Sequence, residues 1–453
     1  MRVLLVSCYE LGHQPLHVAS PAAFLRGAGH EVRACDLAAE PLDEAAVDWA
    51  ELIGVAVPMH TAMRLAQGVV ERVRRRRGAS VDIAAYGLYA PHCTADVDHR
   101  VGGEYEEELV GIAGGAPSGR TVVLDRLRFP TPARDLLPPL ERYARLLIGG
   151  EERLAAAVDA TRGCVHRCRH CPVPVVYDGR IRVVGREPLL EDVAQLHRMG
   201  ARHLSFGDPD FLNAVPHALA TARAVHAAFG DLTFDITAKV EHILDNPEIW
   251  DELASLGLLF VVSAVESLSP RVLEVLDKGH SAAGARRAVA LLRAHGIEMR
   301  PSLLPFTPWS TLPDYLELLD FVSACDLVEN VDPVQLSIRL LLPQGSLLLD
   351  RPEMRPHLRG WEPASFSHVW QHPEATMDAL QREVATLVAT DADSGADPAG
   401  THARVRELAG GAAAAAGLGW EADAAPSPPR GRPRLSEPWF CCAEPTDRQL
   451  GAI

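Results

Sequence analysis

The chain has 453 residues, which is too long for one ordinary domain and predicts two or three. Its formal net charge of −16 argues against a nucleic-acid partner held by a broad basic surface, and no apolar stretch approaches the roughly 20 residues that span a bilayer. The nine cysteines have no secretory context, because the amino terminus lacks a signal-peptide pattern. We therefore expect thiols or metal ligands in a cytoplasmic protein.

The first third of the chain alternates apolar runs with amphipathic segments. We predict strands at 3–6, 31–36, 52–57 and 83–87. Between them we predict a helix at 22–26, with Ser20 as N-cap and Pro21 at its first position, and another at 63–77. This alternation predicts a doubly wound parallel sheet, in which ligands bind beyond the carboxyl ends of the strands. Three histidines lie on predicted loops near that end: His13, His17 and His60.

The middle third, at about 155–345, repeats a strand and a helix six times. The predicted strands lie at 155–160, 202–206, 233–238, 259–265, 298–304 and 334–342. Glycines close four of the helices, as expected at a helix C-cap: Gly200, Gly230, Gly257 and Gly296. Six such units predict a partial (β/α)6 barrel, whose chemistry belongs at the carboxyl ends of its strands.

The C-terminal part is less regular. Residues 391–398 and 410–433 are rich in Ala, Gly and Pro, and we predict them to be flexible or irregular. The predicted organisation is a Rossmann-like domain at 1–107, a linker at 108–150, a barrel at 151–345 and an irregular extension at 346–453.

Three cysteines with x3 and x2 spacings follow the first predicted barrel strand: Cys164, Cys168 and Cys171. Thiolates are soft ligands that suit iron–sulfur clusters. Three of them are one short of the four ligands that complete a structural zinc site or a fully ligated cluster. A [4Fe–4S] cluster on these residues would leave one iron free to bind a reactive partner. The alternative is a redox-active or structural metal cluster of cysteines.

This motif and its place at a strand end resemble the radical S-adenosylmethionine (SAM) superfamily. The resemblance implies that the three cysteines hold a [4Fe–4S] cluster whose free iron chelates SAM. It implies that the reduced cluster cleaves SAM to a 5′-deoxyadenosyl radical. It further implies an electron donor such as flavodoxin or ferredoxin.

The resemblance also assigns roles in SAM binding. The loop that begins with Gly207 and Asp208 would receive the amino group of SAM through its backbone, unless it is an ordinary turn with Asp208 as a helix cap. Glu266 would face the ribose and methionine of SAM. His170, where the family usually has an aromatic residue, would stack over the adenine, and Lys239 would neutralise a carboxylate of SAM or of the substrate.

The first domain resembles the cobalamin-binding-like domain that precedes many radical SAM domains. The matching segments are 5–7, 21–25, 28–32, 54–61, 102–106 and 129–136. The Asp-x-His-x-x-Gly sequence that supplies an axial histidine to cobalt in many cobalamin proteins is missing, because Val97 stands where an aspartate would precede His99 and Gly102. Two alternatives stay open: the domain holds cobalamin without a protein histidine, or it is a degenerate platform.

The chain ends near two adjacent thiols, Cys441 and Cys442, which follow Trp439 and Phe440. The Cys-Cys-Ala-Glu-Pro sequence resembles the C-terminal signature of a radical SAM group in which selenocysteine replaces the second cysteine in some members. The resemblance implies that Cys442 is reactive. Adjacent thiols on a tail can bind a soft metalloid, form a mixed disulfide or persulfide, or donate a hydrogen atom. The alternative is a pair of incidental thiols.

Taken together, the motifs predict a radical SAM enzyme that modifies a small-molecule, peptide or thiol-bound substrate, with cobalamin-dependent methylation as one form of that chemistry. Two alternatives remain: a non-catalytic sensor or scaffold that binds an Fe–S cluster and a corrinoid, and a tRNA-modifying enzyme. The Gly207-Asp208 loop and Glu266 follow separate strand ends and favour an enzyme.

Overall fold

The first sheet has six parallel strands in the order β2-β1-β3-β4-β5-β6. The computed structural model describes residues 1–420 and 431–437. The strands of this sheet are β1 (Arg2–Ser7), β2 (Glu31–Asp36), β3 (Leu52–Ala56), β4 (Asp82–Tyr86), β5 (His99–Gly103) and β6 (Val122–Val123). Strands β1, β3 and β4 are buried almost throughout, as is typical of parallel strands covered on both faces.

Four helices cover the two faces of this sheet: α1 (Leu16–Gly27), α2 (Glu44–Trp49), α3 (His60–Arg77) and α4 (Glu106–Ala113). Helices α1 and α4 share one apolar core, and α2 and α3 share the other. The predicted doubly wound sheet is therefore confirmed. Its strand order reverses between β1 and β3, so the ligand crevice of such a sheet lies beyond the carboxyl ends of these two strands.

Helix α1 begins earlier than predicted. Its N-cap is Pro15, so the predicted start at Ser20 and Pro21 is wrong, and Pro21 lies inside the helix. The Ser20 hydroxyl donates a hydrogen bond to Glu106 (2.7 Å) instead of capping α1. Burial of Leu16 and the fixed φ of Pro15 favour the earlier start.

The second sheet has seven strands in the order β14-β13-β12-β11-β8-β7-β17. Its parallel strands are β8 (Glu151–Val158), β11 (His203–Phe206), β12 (Thr233–Thr237), β13 (Leu258–Glu266) and β14 (Glu298–Leu303). The antiparallel strands β7 (Arg145–Ile148) and β17 (Arg434–Leu435) extend its edge. Two hairpins lie outside this sheet, β9 (Thr161–Gly163) with β10 (Ile181–Val183), and β15 (Leu358–Glu362) with β16 (Ser367–Trp370).

The helices of the second half pack around this sheet: α5 (Val173–Tyr177), α6 (Arg186–Arg198), α7 (Val215–Ala228), α8 (Val240–Asp245), α9 (Trp250–Ser255), α10 (Pro270–Leu276), α11 (Ala282–Ala294), α12 (Leu312–Ala324), α13 (Ala375–Ser394) and α14 (Pro398–Ala415). Strand–helix repeats of this kind form the predicted partial barrel. Within residues 1–420 and 431–437, no helix combines the length and the apolarity needed to cross a bilayer.

The segment predicted as the sixth barrel strand contributes little to the sheet. It forms a short 3-10 helix at Pro333–Leu336 and a single parallel bridge between Phe306 and Arg339. The side chain of Gln335 accepts a hydrogen bond from the backbone N–H of Leu303 (3.0 Å). A side chain thus takes the place that a carbonyl of a sixth strand would occupy beside β14.

The C-terminal extension is more regular than predicted. Helices α13 and α14 take up part of this extension, including residues 391–394, 398 and 410–415 of the segments predicted to be flexible or irregular. The two helices join the core of the second sheet through residues such as Val384 and Val405. Small residues in α14 permit this close packing, and burial outweighs the weak helix propensity of its glycines.

Candidate functional site

The three cysteines of the motif follow β9 at the carboxyl end of β8. Cys164 and Cys168 are buried and Cys171 is half-buried. None of the three is in a disulfide. The backbone N–H of Cys171 donates to the carbonyl of Cys168 (3.1 Å), which folds the loop into a turn. Three thiols on one short loop fit a [4Fe–4S] cluster that takes three ligands from the chain.

Gly163 fixes the entry into this loop. Its φ is +78°, and a Cβ placed on it would lie 2.3 Å from the carbonyl oxygen of Arg180 and 2.6 Å from the ring of Tyr177. Tyr177 lies at the end of α5, and Arg180 directly precedes β10, which pairs with β9. Only glycine therefore lets the backbone pass at this place.

We expect Gly163→Ala to lower the iron content of the reconstituted protein by more than half, because the clash must displace the cysteine loop. The matched control is Gly296→Ala, whose φ of +73° is similar but whose Cβ would meet no atom within 4 Å. The control should lose only the roughly 1–2 kcal/mol that a left-handed backbone costs an alanine. Equal iron content in the two variants would contradict this role of Gly163.

The cysteine loop is attached to the end of α10 and to the end of β13. Arg169 donates through Nη1 to the carbonyl oxygens of Glu274 (3.2 Å) and Val275 (2.9 Å). Nε2 of His170 lies 3.2 Å from Oε1 of Glu266, and Nζ of Lys278 lies 3.3 Å from the same oxygen. The loop, β13 and the segment after α10 therefore meet at one carboxylate.

Glu266 carries the electrostatic and conformational strain of this meeting point. Its φ is +62°, which is unusual for a residue with a side chain. Burial disfavours its charge, but Lys278 and His170 outweigh burial and lower the pKa of Glu266 to about 2. Burial likewise opposes the charge of Lys278, and Glu266 outweighs it and raises the pKa of Lys278. Glu266, a predicted site residue, and Lys278 therefore form a charged pair near the cysteine loop.

We expect Lys278→Met to lower the free energy of unfolding of the cluster-free protein by about 3 kcal/mol, because it leaves the buried Glu266 carboxylate without its main partner. The control is Arg271→Met on α10, whose side chain is 51% exposed and pairs with Glu274 at the surface. That control should change stability by less than about 1 kcal/mol. Urea unfolding at pH 7 measures both.

The same pair predicts a dependence on acid. The pKa of Glu266 lies at about 2 in the fold, below its ordinary value of 4.5, so its stabilising contribution is present above pH 4.5 and is lost as pH falls toward 2. Lys278→Met removes the main cause of the low pKa. The variant should therefore lose less stability than the wild type between pH 5 and pH 2, and an identical loss in both would contradict the assignment.

The loop predicted to bind the amino group of SAM begins directly after β11. Asp208 is buried and accepts hydrogen bonds from the backbone N–H of Ala160 (2.9 Å) and from the hydroxyl of Thr161 (2.5 Å). Burial, helped by the charge of Asp159, raises the pKa of Asp208 to about 7. A Cβ on Gly207 would lie 2.6 Å from Oδ1 of Asp159. The Asp208 side chain thus supports the chain that leads into the cysteine loop, and its predicted part in SAM binding concerns the backbone alone.

Lys239 lies in a row of polar groups that the sequence reading missed. Its ammonium pairs with Glu241 and lies 3.3 Å from Nδ1 of His166, a residue of the cysteine motif. Nε2 of His166 lies 3.2 Å from Nε2 of His242, whose Nδ1 lies 2.9 Å from Oδ2 of Asp210. The one signal in the sequence was the presence of His166 between two cluster cysteines.

Three members of this row could hold a metal ion by distance alone. One ligand atom from each of His166, Asp210 and His242 lies within 4.8 Å of the others. The ammonium of Lys239 opposes a second cation at this place, because it lies against the imidazole of His166. We therefore assign the row to fixing the cysteine loop against β11 and α8.

The carboxyl edges of the two sheets face each other. Arg162, which follows β8, bonds the carboxylate of Glu106 (2.7 Å) beyond β5 of the first sheet. The buried Arg134 binds Asp192 and donates to the carbonyl oxygens of Gln14 (3.1 Å) and Ala157 (2.7 Å). These paired charges are buried except for Arg162, whose side chain is 10% exposed, and they hold the ligand edge of the first sheet against the strand end that carries the cysteines.

The first-sheet edge has hydrogen-bonding groups that the described chain does not use. The hydroxyls of Tyr86 and Tyr105 are buried and have no hydrogen-bond partner within the described residues. Buried hydroxyls normally have one, so this edge fits a polar ligand. His99 lies at the amino-terminal start of β5, away from this edge. It is therefore misplaced to act as an axial ligand to a cofactor bound there.

Residues 431–437 bring the C-terminal segment to the same edge. Strand β17 is antiparallel to β7, and β7 is antiparallel to β8, so β17 runs toward the carboxyl end of the parallel strands. Glu437, which follows β17, accepts a hydrogen bond at Oε1 from the hydroxyl of Tyr9 (3.1 Å). Tyr9 lies in the loop after β1. The predicted catalytic residues Cys441 and Cys442 lie outside the described residues.

Residues 158–319 match the family model of the radical SAM superfamily. This segment, about a third of the chain, is therefore similar to radical SAM domains, as the cysteine motif predicts. That family implies a [4Fe–4S] cluster and SAM as cofactors.

The fold is similar to that of two solved cobalamin-related proteins. The cobalamin-dependent SAM radical enzyme OxsB, with aqua-cobalamin bound, matches with a TM-score of 0.65 and 14% identity over 86% of this chain and 67% of that chain. The radical SAM methyltransferase TsrM from Kitasatospora setae matches with a TM-score of 0.55 and 18% identity over 72% and 71%. These similarities confirm the α/β fold class, with a Rossmann-like domain before the partial barrel.

In sequence, the chain is similar to the hopanoid C-3 methylase of Methylococcus capsulatus, with 25% identity over 202 residues. The match covers 44% of this chain and 37% of the methylase. The curated relatives are matched over less than half of their own length (37% to 43%).

Proposed function

We propose that the chain cleaves SAM reductively at a [4Fe–4S] cluster held by Cys164, Cys168 and Cys171, and uses the product to modify a small-molecule, peptide or thiol-bound substrate. The observation that carries the proposal is the position of the cysteine loop. It lies at the carboxyl end of β8, where Arg162 joins it to the ligand edge of the first sheet. The cysteine loop and the ligand edge of the first sheet therefore border the same space.

The residues of this chain would prepare that space for its cofactors. When bound, the cluster supplies one electron to the sulfonium of SAM. The backbone after Gly207 would receive the amino group of SAM, and Glu266 would offer its carboxylate to the ribose. His170 would hold the adenine while its Nε2 keeps its contact with Glu266 (3.2 Å). Glu266 is buried, and its low-dielectric surroundings strengthen its polar contacts.

The first domain is proposed to hold cobalamin without a histidine on cobalt. The support is the ligand edge with its unused Tyr86 and Tyr105 hydroxyls, together with the placement of His99 at the opposite end of β5. Cobalamin would be the methyl carrier in the methylating form of the chemistry.

We expect electron paramagnetic resonance of the Co(II) form to show no nitrogen superhyperfine splitting from a protein ligand, since the Asp-x-His-x-x-Gly sequence is missing and His99 lies at the opposite end of β5. The measurement uses protein reconstituted with hydroxocobalamin. Failure to retain any corrinoid would favour a degenerate platform instead. A resolved nitrogen coupling that disappears in a variant of His13, His17 or His60 would contradict the absence of a histidine ligand.

The tail thiols are proposed to act on the substrate, as in the radical SAM group with a Cys-Cys-Ala-Glu-Pro terminus. Cys441 lies four positions after Glu437, so a fully extended chain between them spans at most about 14 Å. Glu437 itself contacts the loop after β1, which borders the space between the two sheets. Cys441 and Cys442 are therefore within reach of that space.

An electron donor such as flavodoxin or ferredoxin is proposed to dock beside the cysteine loop. Arg167 of this loop and Arg271 of α10 are exposed, with 63% and 51% of their side-chain surface accessible. Cationic groups near the cluster suit an acidic redox partner and speed its encounter with a chain that is otherwise strongly acidic.

The direct test is the product spectrum of the anaerobically reconstituted protein with SAM and a reductant. Formation of 5′-deoxyadenosine marks radical cleavage, and formation of S-adenosylhomocysteine marks methyl transfer. We expect 5′-deoxyadenosine from the wild type, with S-adenosylhomocysteine added when cobalamin is present. Absence of both products from protein that holds a full cluster would favour a sensor or scaffold.

A further inference from the structure

The concave face of the second sheet carries several polar side chains. On each parallel strand, alternate residues enter the apolar core under the helices, such as Leu204 on β11 and Ile236 on β12. The residues between them point to the other face, and these include His203, Ser205 and Asp235. A packed barrel interior normally uses branched apolar side chains. A buried carboxylate in this position therefore needs a reason.

Asp235 uses only one of its two carboxylate oxygens within the described protein. Oδ1 accepts a hydrogen bond from the hydroxyl of Ser205 (2.7 Å) and lies 2.9 Å from Nε2 of His203. Oδ2 has no hydrogen-bond partner among the described residues, and it is not one of the buried unpartnered atoms, so it contacts open space. The side chain is 7% exposed. The carboxylate is held firmly from one side and presents its other oxygen.

A second incompletely bonded group comes from the first domain. His13 lies in the loop after β1, is 7% exposed, and has a buried Nδ1 with no hydrogen-bond partner within the described residues. The loop that carries His13 reaches the strands beside this carboxylate, because Arg134 donates to the carbonyl oxygens of both Gln14 (3.1 Å) and Ala157 (2.7 Å), and Ala157 pairs with Ser205. Burial lowers the pKa of His13. Two domains therefore contribute unsatisfied polar groups to one small region.

On this face, Phe260 lies level with Asp235 and stacks on His203. Beyond it, toward the carboxyl ends of β12 and β13, the smaller residues Thr237, Val262 and Ala264 are partly exposed. Lys239 lies four residues after Asp235 and contacts the cysteine loop through His166. At the rise of an extended strand, the backbones of Asp235 and Lys239 are about 13 Å apart. A ligand anchored at Asp235 would extend along this mixed surface toward the cluster end.

We infer that Asp235, oriented by Ser205 and His203 and faced by His13, binds the protonated amine of the substrate. This inference rests on the proposed function and gives it a substrate class: a small molecule with an amine at one end of a largely apolar body. A buried carboxylate with one accessible oxygen prefers a cationic hydrogen-bond donor, because the donor restores both the charge and the hydrogen bond. Serine and histidine on the other oxygen prevent the carboxylate from turning away.

The test measures binding of three amines to the reconstituted protein in the presence of SAM: phenethylamine, tryptamine and 1,5-diaminopentane. Their neutral counterparts are 2-phenylethanol, tryptophol and 1,5-pentanediol. We expect at least one amine to bind about tenfold or more tightly than its alcohol, and Asp235→Asn to weaken that amine by a similar factor. Asp231→Asn is the matched control, because Asp231 precedes the same strand but is 54% exposed.

Three results would overturn the inference: no amine binds, an alcohol binds as well as its amine, or Asp235→Asn binds amines as the wild type does. If Asp235→Asn loses its folded structure, His13→Ala in the other domain is measured instead. We expect a several-fold weaker affinity there, and an unchanged affinity would overturn the inference. Abortive 5′-deoxyadenosine formation is assayed in parallel. A wild type that binds amines but never cleaves SAM would refute the proposed function and leave the amine site intact.

Discussion

Replacing Cys164, Cys168 and Cys171 together by alanine should reduce the iron content of the reconstituted protein from about four atoms per chain to nearly none, and should abolish SAM cleavage with it. Each thiolate that is removed leaves one iron without a protein ligand. No other cysteine within the described residues can replace them, because the remaining free thiols, Cys8, Cys35, Cys93 and Cys325, lie in the first domain or at the end of α12.

The control for this variant is Cys325→Ala, which removes a half-buried thiol remote from the motif. It should keep full iron content and full production of 5′-deoxyadenosine. Iron and sulfide analysis, together with the visible absorbance of the cluster, measures both variants. A triple variant that retained a full cluster would contradict the assignment of the three ligands.

Replacing Cys442 by alanine should eliminate product on the true substrate while cluster content and abortive 5′-deoxyadenosine formation stay near their wild-type levels. The reason is position in the reaction: a thiol that carries the substrate or quenches a radical acts after SAM cleavage. Glu437, four positions before Cys441, contacts Tyr9 in the loop after β1.

Cys325→Ala again serves as the control and should leave product formation unchanged. Product formation that survives the double change of Cys441 and Cys442 to alanine would show that the tail is not catalytic. A fall in iron content in the Cys442 variant would instead mean that the cluster has a fourth ligand in the tail.

The parts of the structure that follow from local sequence could be predicted. The cysteine motif places all its ligands within eight residues, and the buried parallel strands β1, β3 and β4 read as continuous apolar runs. Of the four glycines predicted to close barrel helices, Gly200, Gly257 and Gly296 adopt positive φ values. Gly230 does not, since α7 ends at Ala228 with Phe229 as its C-cap.

The parts that depend on distant partners could not be predicted. Ser20 looks like a helix cap, but its hydroxyl bonds Glu106, which lies 86 residues away. Residues 334–342 look like a strand, but the Gln335 side chain occupies the position beside β14. Helix α14 has a weak helical pattern of its own, and tertiary burial against the domain core stabilises it.

The same limit applies to the candidate site. Glu266 could be assigned from its place after a strand, but its pairing with both His170 and Lys278 requires the end of α10 to lie beside the cysteine loop. His242 and Asp210 gave no signal because their neighbours come from other strand ends. The role of Arg162 depends on the first domain, where the Glu106 carboxylate accepts its hydrogen bond.

The most direct test of the central claim is Mössbauer spectroscopy of protein reconstituted with iron-57, recorded before and after addition of SAM. Three chain thiolates leave one iron of a [4Fe–4S] cluster without a protein ligand. We therefore predict that SAM changes the isomer shift and quadrupole splitting of about one quarter of the iron and leaves the rest unchanged. A [4Fe–4S] spectrum that SAM does not alter at all would contradict a cluster with a free iron at Cys164, Cys168 and Cys171.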